Sequence, residues 1–210
     1  VRAPLVFYLG TLSQAVPPVV AVAARRRIRG ARAWVLAWCL VLLAFDLVQM
    51  WLARRGQRNL WIVYVDTPLQ VSLALWAFSC WQTRELSRLT LRLAVVPFLA
   101  VWAALLTLES TADFSRVSQP MASLVGLCAA AFTLLVRSYE ERGSLVRQDW
   151  FWMGAGMALY FGLTVVIGPL SALLVGGDIR NMLVAYQLRA AVQIVALLLV
   201  AVGMACPNAT

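Results

Sequence analysis

The sequence predicts an all-α integral membrane protein: a bundle of seven transmembrane helices with its N-terminus outside and its C-terminus inside. Three observations lead there. First, 62% of the 210 residues are hydrophobic and 13% are charged, with a mean hydropathy of +0.81. Soluble chains sit near roughly 45–50% apolar and about 25% charged, so the excess apolar surface here must face a bilayer. Second, the apolar residues fall into seven runs of about 20, the length that crosses the hydrocarbon core. Third, the positive charges, all of them arginine, lie in the gaps between those runs and more of them fall on one side.

Taken in order, the first run covers 4–23 and stops at Arg25-Arg26-Arg27-Ile28-Arg29-Gly30-Ala31-Arg32, a basic loop with a glycine helix stop. It lacks the basic leader of a signal peptide, and its arginines follow the apolar run, so it reads as a span. Val1 reads as an initiator from an alternative start codon, which would make the chain nearly the whole protein. The second run, 33–53, ends at Arg54, Arg55 and Arg58, and the third spans 60–81. The fourth, fifth, sixth and seventh cover 90–108, 117–137, 149–172 and 181–204. The connecting loops leave no room for a soluble domain, so residues 1–210 read as one transmembrane domain.

Orientation follows from counting arginines. With the first loop inside, Arg25, Arg26, Arg27, Arg29, Arg32, Arg84, Arg88, Arg92, Arg137, Arg142 and Arg147 share that side. Arg2, Arg54, Arg55, Arg58, Arg116 and Arg180 fall on the other. Positive loops stay cytoplasmic. Trp34, Trp81, Trp150 and Trp152 then fall at cytoplasmic helix ends, and Trp51 and Trp61 at outer ends, as an aromatic belt requires. The arginines therefore read as topology signals, and no nucleic-acid partner is expected.

The composition also removes several chemistries. Without histidine there is no imidazole base or imidazole metal ligand, and without lysine there is no Schiff base. Cys39, Cys80, Cys128 and Cys206 are isolated and read as small buried apolar residues. No metal site, catalytic residue or phosphate-binding loop emerges, so an enzyme is the least expected class. The arginine-only, Ala/Leu/Val-rich composition reads as that of a GC-rich bacterial genome.

Ionisable groups inside spans cost at least a few kcal/mol at mid-bilayer, which makes each a functional candidate. Asp46, Asp66 and Arg189 qualify, and helix rise places all three roughly 10–12 Å below the outer surface. Helical spacing adds Gln49 to the Asp46 face, Gln70 to the Asp66 face, and Tyr186 and Gln193 to the Arg189 face. Ser13 and Gln14 reach a similar depth. Pro68 frees a backbone carbonyl near Asp66 and is expected to kink its helix. Arg189 is expected within salt-bridge reach, about 4 Å, of Asp46 or Asp66. This layer reads either as a ligand pocket suited to a cation, an amine or a transferable proton, or as a polar network that fixes helix packing.

Three smaller features complete the reading. Ser13-Gln14 before Pro17 and Ser118-Gln119 before Pro120 lie 105 residues apart, half the chain, a spacing compatible with an internal duplication or with coincidence. Gly154 and Gly156 are expected at a close helix contact. The mixed charges of the 137–149 loop suit either docking of a cytoplasmic partner or plain solvation.

Thr67-Pro68-Leu69 in the third of seven helices, with the N-terminus out, resembles the microbial rhodopsins, whose third helix carries a similar Thr-Pro-Leu. Leu188 to Gln193 is similar to the family's seventh-helix segment, which has an acid four residues before the retinal lysine. Arg189 replaces that acid and Gln193 the lysine, so covalent retinal is not expected, and any other cofactor is left open. The whole chain also resembles uncharacterised bacterial seven-helix proteins that open helix 3 with Asn-Leu-Trp, here Asn59-Leu60-Trp61, and helix 6 with Gln-Asp-Trp-Phe-Trp, here Gln148 to Trp152. That resemblance implies a sensory or accessory role by association only.

The function expected from the sequence is that of a bacterial inner-membrane receptor or sensor, with an outer-half polar pocket coupled to cytoplasmic loops. A small-solute or proton-coupled transporter and a structural subunit of a larger membrane complex are the alternatives. Membrane lipids are the expected surroundings, and a cytoplasmic signalling partner or complex subunits the expected partners.

Overall fold

A computed structural model describes residues 5–24, 28–110, 115–141, 143–174 and 179–206. The described residues are predominantly helical and contain no strand. Arg2, Arg25 to Arg27 and Arg142, used above for orientation, lie outside them.

The first apolar segment is two helices, α1 (Leu5–Ser13) and α2 (Val16–Ala23). Pro17 and Pro18 lack an N–H, so the carbonyls of Ser13 and Gln14 lose their helical partners. The chain tightens instead: Gln14 N–H donates to the Thr11 carbonyl at 3.1 Å, and Ala15 N–H to that of Leu12 at 3.0 Å. The expected unbroken helix over 4–23 is thus corrected to two short helices, and the apolar stretch Tyr8–Ala23 is shorter than the spanning candidates.

Six helical stretches are long and apolar enough to cross a bilayer. They are α3 (Ala31–Arg54), α4 (Trp61–Trp81), the joined pair α5 (Glu85–Leu93) and α6 (Val95–Leu106), α7 (Ser118–Glu140), α8 (Asp149–Leu174) and α9 (Ile179–Ala205). The fourth run begins at Glu85 rather than 90, because Leu86 and Leu89 extend the helix toward the loop. Its irregularity falls at Ala94, just before Pro97.

The helix α4 is central, touching α3, α5, α6, α7 and α8. It buries 61% of its apolar window, against 22% for α3 and 17% for Glu85–Leu106, whose remaining apolar surface is left for lipid. That position explains why α4 carries an acid, a threonine and a glutamine: they face protein. The ring closes where α1 and α2 pack on α9, and α2 also touches α3.

Close approach of α8 to α9 depends on absent side chains. A Cβ on Gly156 would lie 2.5 Å from the Ala196 carbonyl oxygen, and one on Gly203 would lie 2.5 Å from Met153 Cγ. Gly154 faces Leu134 of α7, 3.1 Å from its would-be Cβ. Val35, Trp38, Phe78, Met153, Met157 and Leu197 fill the core beside these contacts. Trp38 meets Tyr160 edge-on at 5.1 Å and Phe161 at 6.1 Å.

Two clusters fix the helix ends. Glu109 caps the start of α7, accepting the backbone N–H groups of Arg116 at 2.8 Å and Val117 at 2.6 Å, and the hydroxyls of Ser115 and Ser118. Partial burial alone would raise its carboxyl pKa, but the bonds from the Ser118 hydroxyl and from these amides outweigh that and hold it below the usual glutamate value. At the opposite end, Arg32 Nε meets Asp149 Oδ2 at 2.8 Å and Nη2 donates to the Cys206 carbonyl at 2.9 Å, tying α3 to α8 and to the end of α9.

Two side-chain expectations change. Trp150 is 2% exposed and belongs to the interior, whereas Trp51 and Trp61 face outward as a belt would. Of the cysteines only Cys39 is buried, and Cys128 is exposed on the apolar exterior. Glu140 and Glu141 of the 137–149 loop are engaged by Arg137, at 3.3 and 3.9 Å.

Candidate functional site

The break between α1 and α2 turns the Gln14 side chain into the bundle, where Nε2 donates to the Asp46 carboxylate of α3. In α4, Gln70 follows Asp66 by one helical turn and donates to its Oδ2. Tyr160 of α8 donates its hydroxyl to Gln70 Oε1 at 3.1 Å. Gln193 of α9 completes the ring, donating to the Gly10 carbonyl at 3.4 Å.

These side chains enclose a chamber of about 70 Å³, lined also by Gln49 and Arg189. A second, more open recess of about 200 Å³ is bounded by Gly10, Thr11, Tyr186 and Ala190. Asp46, Gln49, Arg189 and Gln193 line both, so they form the partition between vestibule and chamber. By this measure a water needs about 10–15 Å³, and the inner space holds a few waters or one small ion. Most organic ligands need several hundred Å³.

The chamber is rich in acceptors. Gln14 Oε1 and Asp66 Oδ1 are buried without a hydrogen-bond partner among the described residues, and leaving such atoms unpaired costs on the order of 1–3 kcal/mol each. Two carboxylates face one guanidinium. A donor-rich occupant carrying positive charge would satisfy both deficits.

The expected ion pair is not formed: among the described residues Arg189 has no carboxylate oxygen within 4.0 Å. Glutamine amides occupy that role, Gln14 on Asp46 and Gln70 on Asp66. Helix rise places charges at one depth without setting the lateral distance between them, and the chamber stands in that distance.

Seven expected residues line the chamber: Gln14, Asp46, Gln49, Asp66, Gln70, Arg189 and Gln193. Tyr186 lines the vestibule only. Ser13 lines neither, since its hydroxyl turns back to the Gly10 carbonyl at 2.6 Å. Pro68 lies inside α4, which runs from Trp61 to Trp81, and a separate break in the helical path beside this site falls at Gln14 and Ala15.

Sequence reasoning missed Thr67, Gln119, Ser123, Tyr160 and Thr164, which also line the chamber. Gln119 had a signal, for it belongs to the second Ser-Gln dipeptide. Tyr160 and Thr164 are one turn apart in α8, but uncharged hydroxyls in an apolar run raise no alarm by hydropathy. Below the chamber, Tyr160 and Phe161 form a floor backed by Trp38, and Met153, Met157 and Phe78 continue the packing toward the arginine-rich end. No family model, curated protein or solved structure matches this chain.

Proposed function

We propose that this protein is a seven-span bacterial inner-membrane sensor that takes up a small protonated amine or ammonium ion in its outer half. It signals through the loops at its arginine-rich, cytoplasmic end. The observation that carries this reading is the enclosed chamber, in which Gln14 Oε1 and Asp66 Oδ1 have no donor among the described residues, beside two carboxylates. An ammonium group supplies donors and charge together.

A sensor is preferred to a transporter because the floor is packed. Trp38, Phe161, Met153 and Met157, all at most 2% exposed, pack large apolar side chains below the site, where a transport path would run. Occupancy would act on Asp66, hence through Gln70 on Tyr160, whose ring rests on Trp38.

The test is methylammonium binding to the purified chain in maltoside micelles, by calorimetry, with Asp66→Asn as the partner variant. We expect saturable binding by the unmodified chain and at least a tenfold loss in the variant, the size of a charge-assisted hydrogen bond. In reconstituted vesicles neither version should carry flux. Flux that Asp66→Asn abolishes would make the protein a transporter. Absence of both binding and flux, with only stability altered, would leave the layer as helix packing in a structural subunit.

A further inference from the structure

At the opposite end of the bundle lies a recess of about 540 Å³ that the reading above does not use. Arg29, Arg32, Arg88 and Arg137 line it with one lining carboxylate, Asp149, while Arg137 also meets Glu140 at 3.3 Å and Glu141 at 3.9 Å, which do not line it. Two helix N-termini border it, Ala31-Arg32 of α3 and Asp149-Trp150 of α8, each heading a helix of more than 20 residues. Their partial positive charge adds to that of the arginines.

Unpartnered groups on its walls point to a ligand. Arg32 is 5% exposed, and after Asp149 and the Cys206 carbonyl are served its Nη1 has no partner among the described residues. Arg137 Nε and Trp150 Nε1 are likewise buried donors without acceptors. The acid chamber has two unpartnered acceptors among the described residues, whereas this recess has unpartnered donors on three lining residues beside one unpartnered acceptor, Gln82 Oε1.

We infer that the recess binds a phosphoryl anion, with the buried Arg32 and the part-buried Arg137 as anchors and Arg29 and Arg88 at the rim. Phosphate oxygens accept several N–H bonds at once, and guanidinium groups match them in geometry as well as charge. Spherical chloride would leave most of these donors unused. Such an anion has two sources at this position, an anionic phospholipid headgroup at the membrane surface and free phosphate from solution.

The test uses the full chain in maltoside micelles, which contain no phosphate. Thermal unfolding is followed with inorganic phosphate, with dihexanoyl phosphatidylglycerol, and with sodium chloride at matched ionic strength. We expect at least one phosphate arm to raise the midpoint saturably beyond the chloride control. Response to phosphatidylglycerol alone identifies a lipid site, and response to inorganic phosphate shows that the phosphoryl group suffices. Arg32→Gln should weaken binding about tenfold or more. Because that change also breaks the contact with Asp149, the exposed rim variant Arg29→Gln, combined with Arg88→Gln, provides the independent check. It should fold and weaken binding severalfold. If neither phosphate arm exceeds chloride, or the rim variant binds as tightly as the unmodified chain, the inference is overturned.

Discussion

The Tyr160 hydroxyl donates to Gln70 Oε1 across 3.1 Å, joining α8 to α4 at the edge of the acid chamber. The bond leaves the Gln70 amide oriented toward Asp66, so one hydroxyl sets the direction of the next donor. Tyr160→Phe keeps the ring on Trp38 and removes only this bond. Hydrogen bonds between membrane helices average about 0.6 kcal/mol and reach about 1.7. We expect a loss within that range in detergent-titrated unfolding, together with weaker methylammonium binding. Unchanged stability and binding would mean that the hydroxyl does not orient Gln70.

Two glycines of α8 separate close packing from mere helix composition. Gly156→Ala would press a methyl against the Ala196 carbonyl, which backbone geometry holds in place. A cost of about 1–3 kcal/mol is expected. At Gly162 the nearest atom to a new Cβ is Leu127 Cδ1 at 3.6 Å, an ordinary contact. Gly162→Ala should be neutral or stabilising by up to about 1 kcal/mol. Equal effects of the two changes would contradict the described α8 and α9 contact.

Glu109 makes the head of α7 sensitive to acid. Its folded pKa lies below the unfolded value, so its contribution is complete above about pH 4.3 and fades as pH falls through the folded value. Glu109→Gln should therefore be less stable than the unmodified chain at pH 7, and the gap should narrow below about pH 4. Unfolding curves of both proteins across that interval decide it. A gap that widens in acid would show that the carboxylate is not held by these donors.

Orientation is open to labelling in a cysteine-free background. Single cysteines at Arg29 and Arg147 should be protected from a membrane-impermeant maleimide in intact cells, and those at Arg55 and Gln57 should react. Reversal of this pattern would put the arginine-rich recess outside and the acid chamber near the cytoplasm.

Charges in an apolar chain announce themselves, which is why Asp46, Asp66 and Arg189 were legible as one layer and Gln49, Gln70 and Gln193 followed by helical spacing. Position around the bundle was not legible, because rise per residue fixes depth and says nothing of the lateral distance between helices; hence the missing ion pair of Arg189. The break at Gln14 was hidden by hydropathy averaging, although Pro17 and Pro18 carry its cause. Arg32 and Asp149 are 117 residues apart. Each reads as a loop charge until folding brings both to the recess.

The packing of α1 and α2 on α9 also sets a timetable. Gly10 is synthesised 183 residues before Gln193, yet its carbonyl accepts the Gln193 amide in the finished chamber. A chain emerging from N- to C-terminus must hold α1 and α2 without their main partner until α9 arrives. Completion of the chamber therefore waits for α9, and a nascent chain stopped before α9 would retain its acids but have no closed site.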